Sequence, residues 1–166
     1  MSSGKDLLIA GLARIPERET RFTWIYPIAS MGRAFVTLDR SIESFARAAV
    51  ELQHILVGLG TAEYEILRAN GIADSQIRQV RFDAQEAGMM LAGRADGWFN
   101  TIPQAKWFIR THPEAKNLVI GPPLAVTDQY MACSKLCSPE LVAALAGALA
   151  SMKADGTLDR ISASYE

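Results

Sequence analysis

Three short segments carry residue types and spacings that suit anion chemistry. GLGTAE, Gly58 to Glu63, lies between an apolar run and a helical one, where backbone N–H groups and the helix dipole favour an anion. It lacks the third glycine of G-x-G-x-x-G and the lysine of a phosphate-binding loop, so nucleotide binding has weak support, and a plain tight turn fits equally well. Arg18, in RIPERETRF, has Arg14 and Arg21 beside it, and its planar guanidinium fork matches a carboxylate. A loop of mixed charges is also what a solvated surface looks like. Asn100 and Thr101 end a strand and open a helix, which is where open α/β sheets bind ligands, and simple helix capping accounts for the same residues. His54, inside an expected strand, and His112, in a polar loop, have no serine or cysteine in a nucleophile motif nearby, so no catalytic residue is assigned and no enzyme is expected. Cys133 and Cys137 form a C-x3-C without a second pair or a histidine beside it, so no metal site and no cofactor is expected. A disulfide is open to them, but the strand-like setting of Cys133 and the helix start after Cys137 favour two thiols, and the redox compartment stays undecided. Trp24, Trp98 and Trp107 can line a pocket or simply pack, and Met89 and Met90 read as core.

Alternating strands and helices must hold these segments. KDLLIAGL reads as a buried strand from Lys5 to Leu12, closed by Pro16. Phe22 to Asp39 is aromatic, β-branched and long for one strand, with possible breaks at Pro27 or Gly32. Ser41 is expected to cap a helix through Leu52. HILVGLG then gives a strand, Thr61 an N-cap and a helix to Asn70. IRQVRF is a short strand, and Asp83 with Glu86 has capping-box spacing for a helix that stops at Gly93. Ala95 to Phe99 is the next strand, Thr101 with Gln104 another capping-box pair on a helix ending near Arg110, and NLVIG one more strand. This order implies a mainly parallel sheet covered on both faces. LAVTDQYMACSK is extended, and Ser138 and Pro139 start a helix with Leu141, Leu145, Leu149 and Met152 on one face before Asp155 and Gly156 break it. A short terminal helix follows.

Bulk properties narrow the function classes. The 166 residues fit one domain or two small lobes, and an apolar content of 49% excludes a disordered chain. Seventeen Lys and Arg against eighteen Asp and Glu leave a net charge of -1, so no nucleic-acid partner is expected. MSSGKDLLIAGLARIPER has too short an apolar run for a signal peptide, and no stretch reaches the roughly twenty apolar residues of a membrane span. As written, the chain is expected to be soluble.

In their order along the chain these residues resemble the type 3 extracellular solute-binding proteins of ABC transporters, typified by polar amino-acid binders. DLLIAGLARIPERETRFTWIYPI is similar to the family signature D-x-x-x-x-G-x-x-x-T-x-E-R-x-x-x-x-F-x-x-P-Y, with Asp6, Gly11, Glu17, Arg18, Phe22 and Pro27 near the diagnostic places. VGLGTAEYEILRANG resembles the glycine-threonine turn and its helix, MMLAGRADGWF the M-L-x-x-G-R-x-D-A strand entry, and DQYMACSKLCSPELVAALAGALASMKADGTLDRISASY the usual ending. The resemblance implies a type II periplasmic-binding-protein fold. Two α/β lobes, joined by two hinge strands, would close around a small carboxylate-bearing solute and deliver it to a membrane permease. Residues 35–124 would form one complete lobe, and residues 1–34 with 125–166 a partial lobe carrying the hinge strands.

By the same resemblance Arg18 would pair with the ligand carboxylate. Gly11 and Ala13 would present backbone groups, and Gly60, Thr61 and Ala62 would cap the carboxylate from the second lobe. A charge-assisted pair of this kind contributes on the order of 1.5–3 kcal/mol. Where amino-acid binders carry an aspartate for the α-ammonium, this sequence has Thr101 or its neighbour Asn100, and where they carry a hydroxyl it has Ala13. A neutral group cannot balance an ammonium, so a standard amino acid is a poor fit. The resemblance also implies that the first elements of lobe 1 lack a counterpart. An open strand edge invites another chain, hence a homodimer or swapped assembly through the Lys5 to Leu12 strand and the C-terminal helix. The family implies a periplasmic location, whereas the absent signal peptide allows a cytoplasmic one. A ligand-sensing or structural module, or a dehydratase-like enzyme, shares the fold and is the alternative.

Overall fold

In a computed structural model, which describes residues 4–81 and 85–164, strand β1 spans Leu8–Ala13 and strand β2 Phe22–Thr37. Asp83, half of an expected capping box, falls outside the described residues. β2 runs unbroken for 16 residues through Pro27 and Gly32, as an aromatic and β-branched run favours. The chain divides into two units, Met1–Met31 with Thr127–Glu166 (unit 1) and Gly32–Val126 (unit 2). β2 and the later strand β7, Ala125–Ser134, are the elements that run from one unit into the other.

Within unit 2, β3 (Ile55–Gly58) pairs in parallel with β4 (Ile77–Val80) and with β5 (Gly97–Thr101). The second half of β2 pairs antiparallel with β5, placing Arg33 opposite Thr101 and Phe35 opposite Phe99. β6 (Val119–Ile120), the NLVIG strand, runs in the same direction as β3, β4 and β5 but does not lie beside them. It pairs antiparallel with β2, which itself runs antiparallel to β5. Alternate residues go to opposite faces, as the pleat requires. Phe35, Val57 and Phe99 enter one buried cluster with Leu67, while Val36, Leu56 and Trp98 enter another with Met90 and Phe108. Helices α1 (Phe45–Glu51), α2 (Ala62–Ala69), α3 (Gln85–Leu91) and α4 (Ile102–Thr111) supply the residues that cover the sheet. α1 begins later than expected: the cap is Ser44, whose Oγ accepts the Arg47 N–H at 3.1 Å, and not Ser41. Ile42 is fully buried from the extended stretch before it, which holds Ser41 out of the helix.

Within unit 1, β1 pairs antiparallel with β7, which neighbours β2, so β1 lies at the end of the strand order. Helices α5 (Pro139–Ala154) and α6 (Thr157–Ala163) follow. On α5 the expected face is the less exposed one, with Leu149 buried and Leu141, Leu145 and Met152 half-buried. The expected thiols are instead a disulfide between Cys133 and Cys137, with Cα atoms 5.9 Å apart. β7 ends at Ser134, and the Cys137 N–H donates to the Ser134 carbonyl at 3.1 Å, so the turn itself brings the cysteines within bonding range. Among the described residues no single helix is long and apolar enough to cross a membrane.

Candidate functional site

Gly11, Ala13 and Arg18 come together at the end of β1. Gly11 sits where the β1–β7 register shifts, at φ 77°, a backbone conformation that favours glycine although a Cβ would meet no neighbour within 4 Å. Ala13 closes the strand, 5% exposed, and buried Ile15 precedes a 3-10 turn over Pro16–Arg18. The Arg18 N–H donates to the Ile15 carbonyl at 3.0 Å, and its Nη1 reaches back to the Ala13 carbonyl at 3.3 Å. The guanidinium is therefore held against the strand end that carries Gly11 and Ala13. The neighbouring arginines have other partners. Arg14 pairs with Glu19, Nε to Oε2 at 3.0 Å, and lies over the rings of Trp24 and Tyr130, 5.4 and 5.0 Å from their centroids. That hydrogen bond holds the Glu19 carboxyl below its ordinary range and raises the Arg14 guanidinium. Arg21 lies 6.0 Å from the Phe22 centroid.

Unit 2 gathers the other expected residues at the carboxyl ends of two adjacent parallel strands, β3 and β5, the edge at which open α/β sheets bind ligands. After β3 the chain turns through Gly60, at φ 72°, into Thr61 and the buried Ala62 at the start of α2. Thr61 occupies the N-cap position but does not cap with its side chain, because its hydroxyl donates to the Gly58 carbonyl at 2.8 Å. After β5, Thr101 likewise sits at the N-cap of α4 without a side-chain cap bond, so the expected Thr101–Gln104 box does not form. Its N–H donates to Asn100 Oδ1 at 2.6 Å, and Asn100 is 6% exposed. Thr101 is half-buried.

Sequence reasoning missed one pair in this end of unit 2. Arg33 Nε donates to Glu63 Oε1 at 2.7 Å, and both side chains are buried. The available signal was a charged residue inside the apolar run MGRAFV, since a charge so placed requires a buried partner.

The remaining candidates do not assemble a reactive centre. His54 precedes β3 rather than lying within it, because Asp96 Oδ2 takes the N–H groups of Gln53 and His54, each at 2.8 Å, and ends the ladder there. The His112 ring stacks on Phe108 with centroids 4.0 Å apart. Asp6, Cys133 and Cys137 place ligand-type atoms within 4.8 Å of one another. The two sulfurs are bonded to each other and Asp6 Oδ1 accepts the Ser138 N–H at 2.7 Å, so the cluster is a stapled turn. Trp98 packs in the core as a T-shaped partner of Phe108, Trp24 meets Tyr130 edge-on, and Trp107 is 49% exposed.

The fold has solved counterparts. An ancestral amino-acid-binding protein, a precursor of cyclohexadienyl dehydratase, is similar at 23% identity with a TM-score of 0.77, over 93% of this chain and 65% of that one. A histidine kinase sensor domain with similarity to periplasmic binding proteins gives 16% identity and a TM-score of 0.82, over 96% and 69%. An amino acid ABC transporter substrate-binding protein from Streptococcus pneumoniae, bound to L-arginine, gives 19% and 0.77, over 93% and 65%. At these identities the likeness is one of fold, the type II periplasmic-binding-protein fold, and the chain spans about two thirds of the length of each counterpart. No curated protein matches the sequence significantly. The family described as bacterial extracellular solute-binding proteins, family 3, matches residues 1–166. The chain belongs to that family.

Proposed function

We propose that the chain is the solute-binding component of an ABC-type uptake system and takes a small carboxylate-bearing solute. The observation that carries this reading is Arg18, fixed by the Ala13 carbonyl at the Gly11 end of β1, where a guanidinium fork and nearby backbone groups suit a carboxylate. In this reading Arg18 pairs with the solute carboxylate. Gly11 and Ala13 contribute backbone groups from unit 1, and Gly60, Thr61 and Ala62 contribute amides from unit 2, with Asn100 and Thr101 beside them. Residues 35–124 act as the complete lobe, and residues 1–34 with 125–166 as a partial one. The partner is a membrane permease, and the Cys133–Cys137 disulfide suits the oxidising periplasm.

A thermal-shift and calorimetric series of small carboxylates and amino acids, on the wild type and on Arg18→Ala, tests the reading. At least one carboxylate should raise the melting temperature of the wild type. Arg18→Ala should weaken that ligand by about tenfold or more while leaving the fold intact. No ligand across the series, or undiminished binding by the variant, would sink it.

We further infer a homodimer through β1 and α5, since β1 ends the strand order and Leu7 and Leu8 before and at its start are 44% and 42% exposed. A single monomeric species in sedimentation velocity at high concentration would rule that out. Two other readings rest on the fold counterparts. A ligand-sensing or structural module is favoured by the likeness to a kinase sensor domain. A dehydratase-like enzyme is the weaker alternative. It needs a carboxylic acid placed to transfer a proton, and the carboxylate at the Thr61 end of unit 2 is paired with Arg33.

A further inference from the structure

Gln129 deepens the solute-binding reading and rests on it. It lies on β7 directly opposite Ala13, the residue whose carbonyl holds Arg18. One step further along the ladder the Arg14 N–H donates to the Asp128 carbonyl at 3.1 Å, which makes Arg14 and Asp128 a hydrogen-bonded pair. Ala13 and Gln129 are therefore a non-hydrogen-bonded pair. Such a pair turns its own backbone groups outward and brings its side chains closest, to about 4.5–5.5 Å between Cβ atoms. The Ala13 carbonyl accordingly faces away from β7, toward Arg18 Nη1, while the Gln129 side chain stands beside the Ala13 methyl. Arg14 and Tyr130 occupy the opposite face of the strand pair.

Gln129 is 4% exposed, and its carboxamide has two N–H donors and an acceptor oxygen to satisfy. One N–H donates to Thr127 Oγ1 at 3.2 Å, two residues back along β7. That bond draws the carboxamide toward the level at which β1 gives way to the Pro16–Arg18 turn, since Arg14 lies opposite Asp128. Among the described residues no hydrogen bond reaches Oε1. Leaving a buried acceptor unmatched costs more than the single bond to Thr127 returns, so stability does not account for a glutamine at this position. Arg18 and Gln129 thus flank Ala13, one with a cationic fork for a carboxylate and the other with a neutral oxygen that accepts. A carboxylate has nothing to donate to that oxygen, whereas an amide N–H or a hydroxyl does. We propose that Gln129 is a specificity-determining residue that reads an uncharged N–H or O–H group on the solute whose carboxylate Arg18 holds. The solute class is then a small carboxylate bearing an amide or hydroxyl a few atoms away. A site built to accept such a bond rejects an analogue without the donor, because the oxygen is then left buried and unmatched.

The test compares glutaramate with monomethyl glutarate, and succinamate with monomethyl succinate, in NMR titrations of the full chain at up to millimolar ligand. Each pair has the same charge and chain length and differs by an amide against an ester, that is, by the donor. The wild type should bind the better amide at least about tenfold more tightly than its ester. The Gln129 side-chain N–H signals, identified by their absence from Gln129→Met, should shift with the amide. Gln129→Met keeps the length, removes the acceptor, and should bring each pair to within about threefold by weakening the amide alone. Its melting temperature should be unchanged or higher, since the unmatched acceptor is gone, whereas a structural role would lower it and weaken amide and ester alike.

Equal affinities in the wild type, or a preference that survives in Gln129→Met, would overturn the proposal and leave solute binding standing. Absence of titration by all four ligands would also overturn it, and the wider carboxylate series then decides solute binding separately. If Gln129→Met fails to give a folded spectrum, Gln129→Asn, which withdraws the carboxamide by one methylene, takes its place with the same expected loss of preference.

Discussion

The two units solve the same stability problem by different means. Unit 2 buries alternate faces of β2, β3 and β5 in two clusters, one around Phe35, Val57 and Phe99 and one around Leu56, Trp98 and Met90. Unit 1 has a sparser buried apolar set among its described residues: Ala13, Ile15, Ala132, Cys133, Leu149 and Leu158. In place of a broad core it has a disulfide, and Asp6 and Ser134 tie β1 to the chain around that bond, by the Ser138 N–H at 2.7 Å and the Leu7 N–H at 3.2 Å. A parallel βα array covers its own sheet as the chain alternates, whereas the described part of unit 1 has β1, β7 and the first part of β2 with two helices. Unit 2 is therefore held by packing, and unit 1 by covalent and hydrogen-bonded staples.

That contrast can be broken experimentally. Its strongest challenge is Glu63→Leu, which leaves Arg33 buried without its carboxylate. The expected loss is about 3–5 kcal/mol in denaturant unfolding, and an unchanged midpoint would show that unit 2 does not depend on the pair. Leu56→Ala should cost about 2–5 kcal/mol by opening a cavity at a fully buried position of unit 2. Leu145→Ala on half-buried α5 should cost clearly less, and equal losses would erase the distinction between a packed and a sparse core. Replacing Cys133 and Cys137 together by serine should lower stability by about 2 kcal/mol, the chain-entropy value for so short a loop, with the protection of amide hydrogens lost first in unit 1.

The smallest effect sharpens the comparison by pH. Glu19 in unit 1 is lowered by its hydrogen bond to Arg14, Asp155 in unit 1 by its bonds to Thr157, and Glu51 in unit 2 by its bond to Arg47. A carboxyl lowered on folding contributes stability above its unfolded pKa and loses it as pH falls through the folded value. Stability should be level from neutral pH to about 5 and decline below about 4, modestly, because Glu19 and Asp155 are exposed and Glu51 is only half-buried. A decline already under way between pH 7 and 6 would assign the acid sensitivity to some other group.

Much of this architecture was legible in the order of residues. The helix face of Leu141, Leu145, Leu149 and Met152 and the parallel pairing of β3 with β4 and β5 follow from local periodicity. Capping was read less well. Ser44 rather than Ser41 starts α1, the Thr61 hydroxyl donates to the Gly58 carbonyl instead of capping, and Thr101 takes its cap position without a side-chain bond. Grouping Gly11, Ala13 and Arg18 was possible because they are near in sequence, so a resemblance in motif carried most of the geometry.

What the sequence determined by itself is local: the alternation of strands and helices, the glycine turns at Gly11 and Gly60, the arginine after Pro16, and through their order the family. Three decisions belong to tertiary structure. The Ser134–Cys137 turn closes the C-x3-C into a disulfide, although the same spacing is compatible with thiols. β6 shares the direction of β3–β5 but is placed beside β2, and strand propensity cannot say which neighbour a strand takes. Arg33 and Glu63, 30 residues apart, meet in the interior. A buried charge needs a partner, yet the sequence cannot say which one, because the partner is chosen by the register of β2 on β5 and the seat of α2 above them.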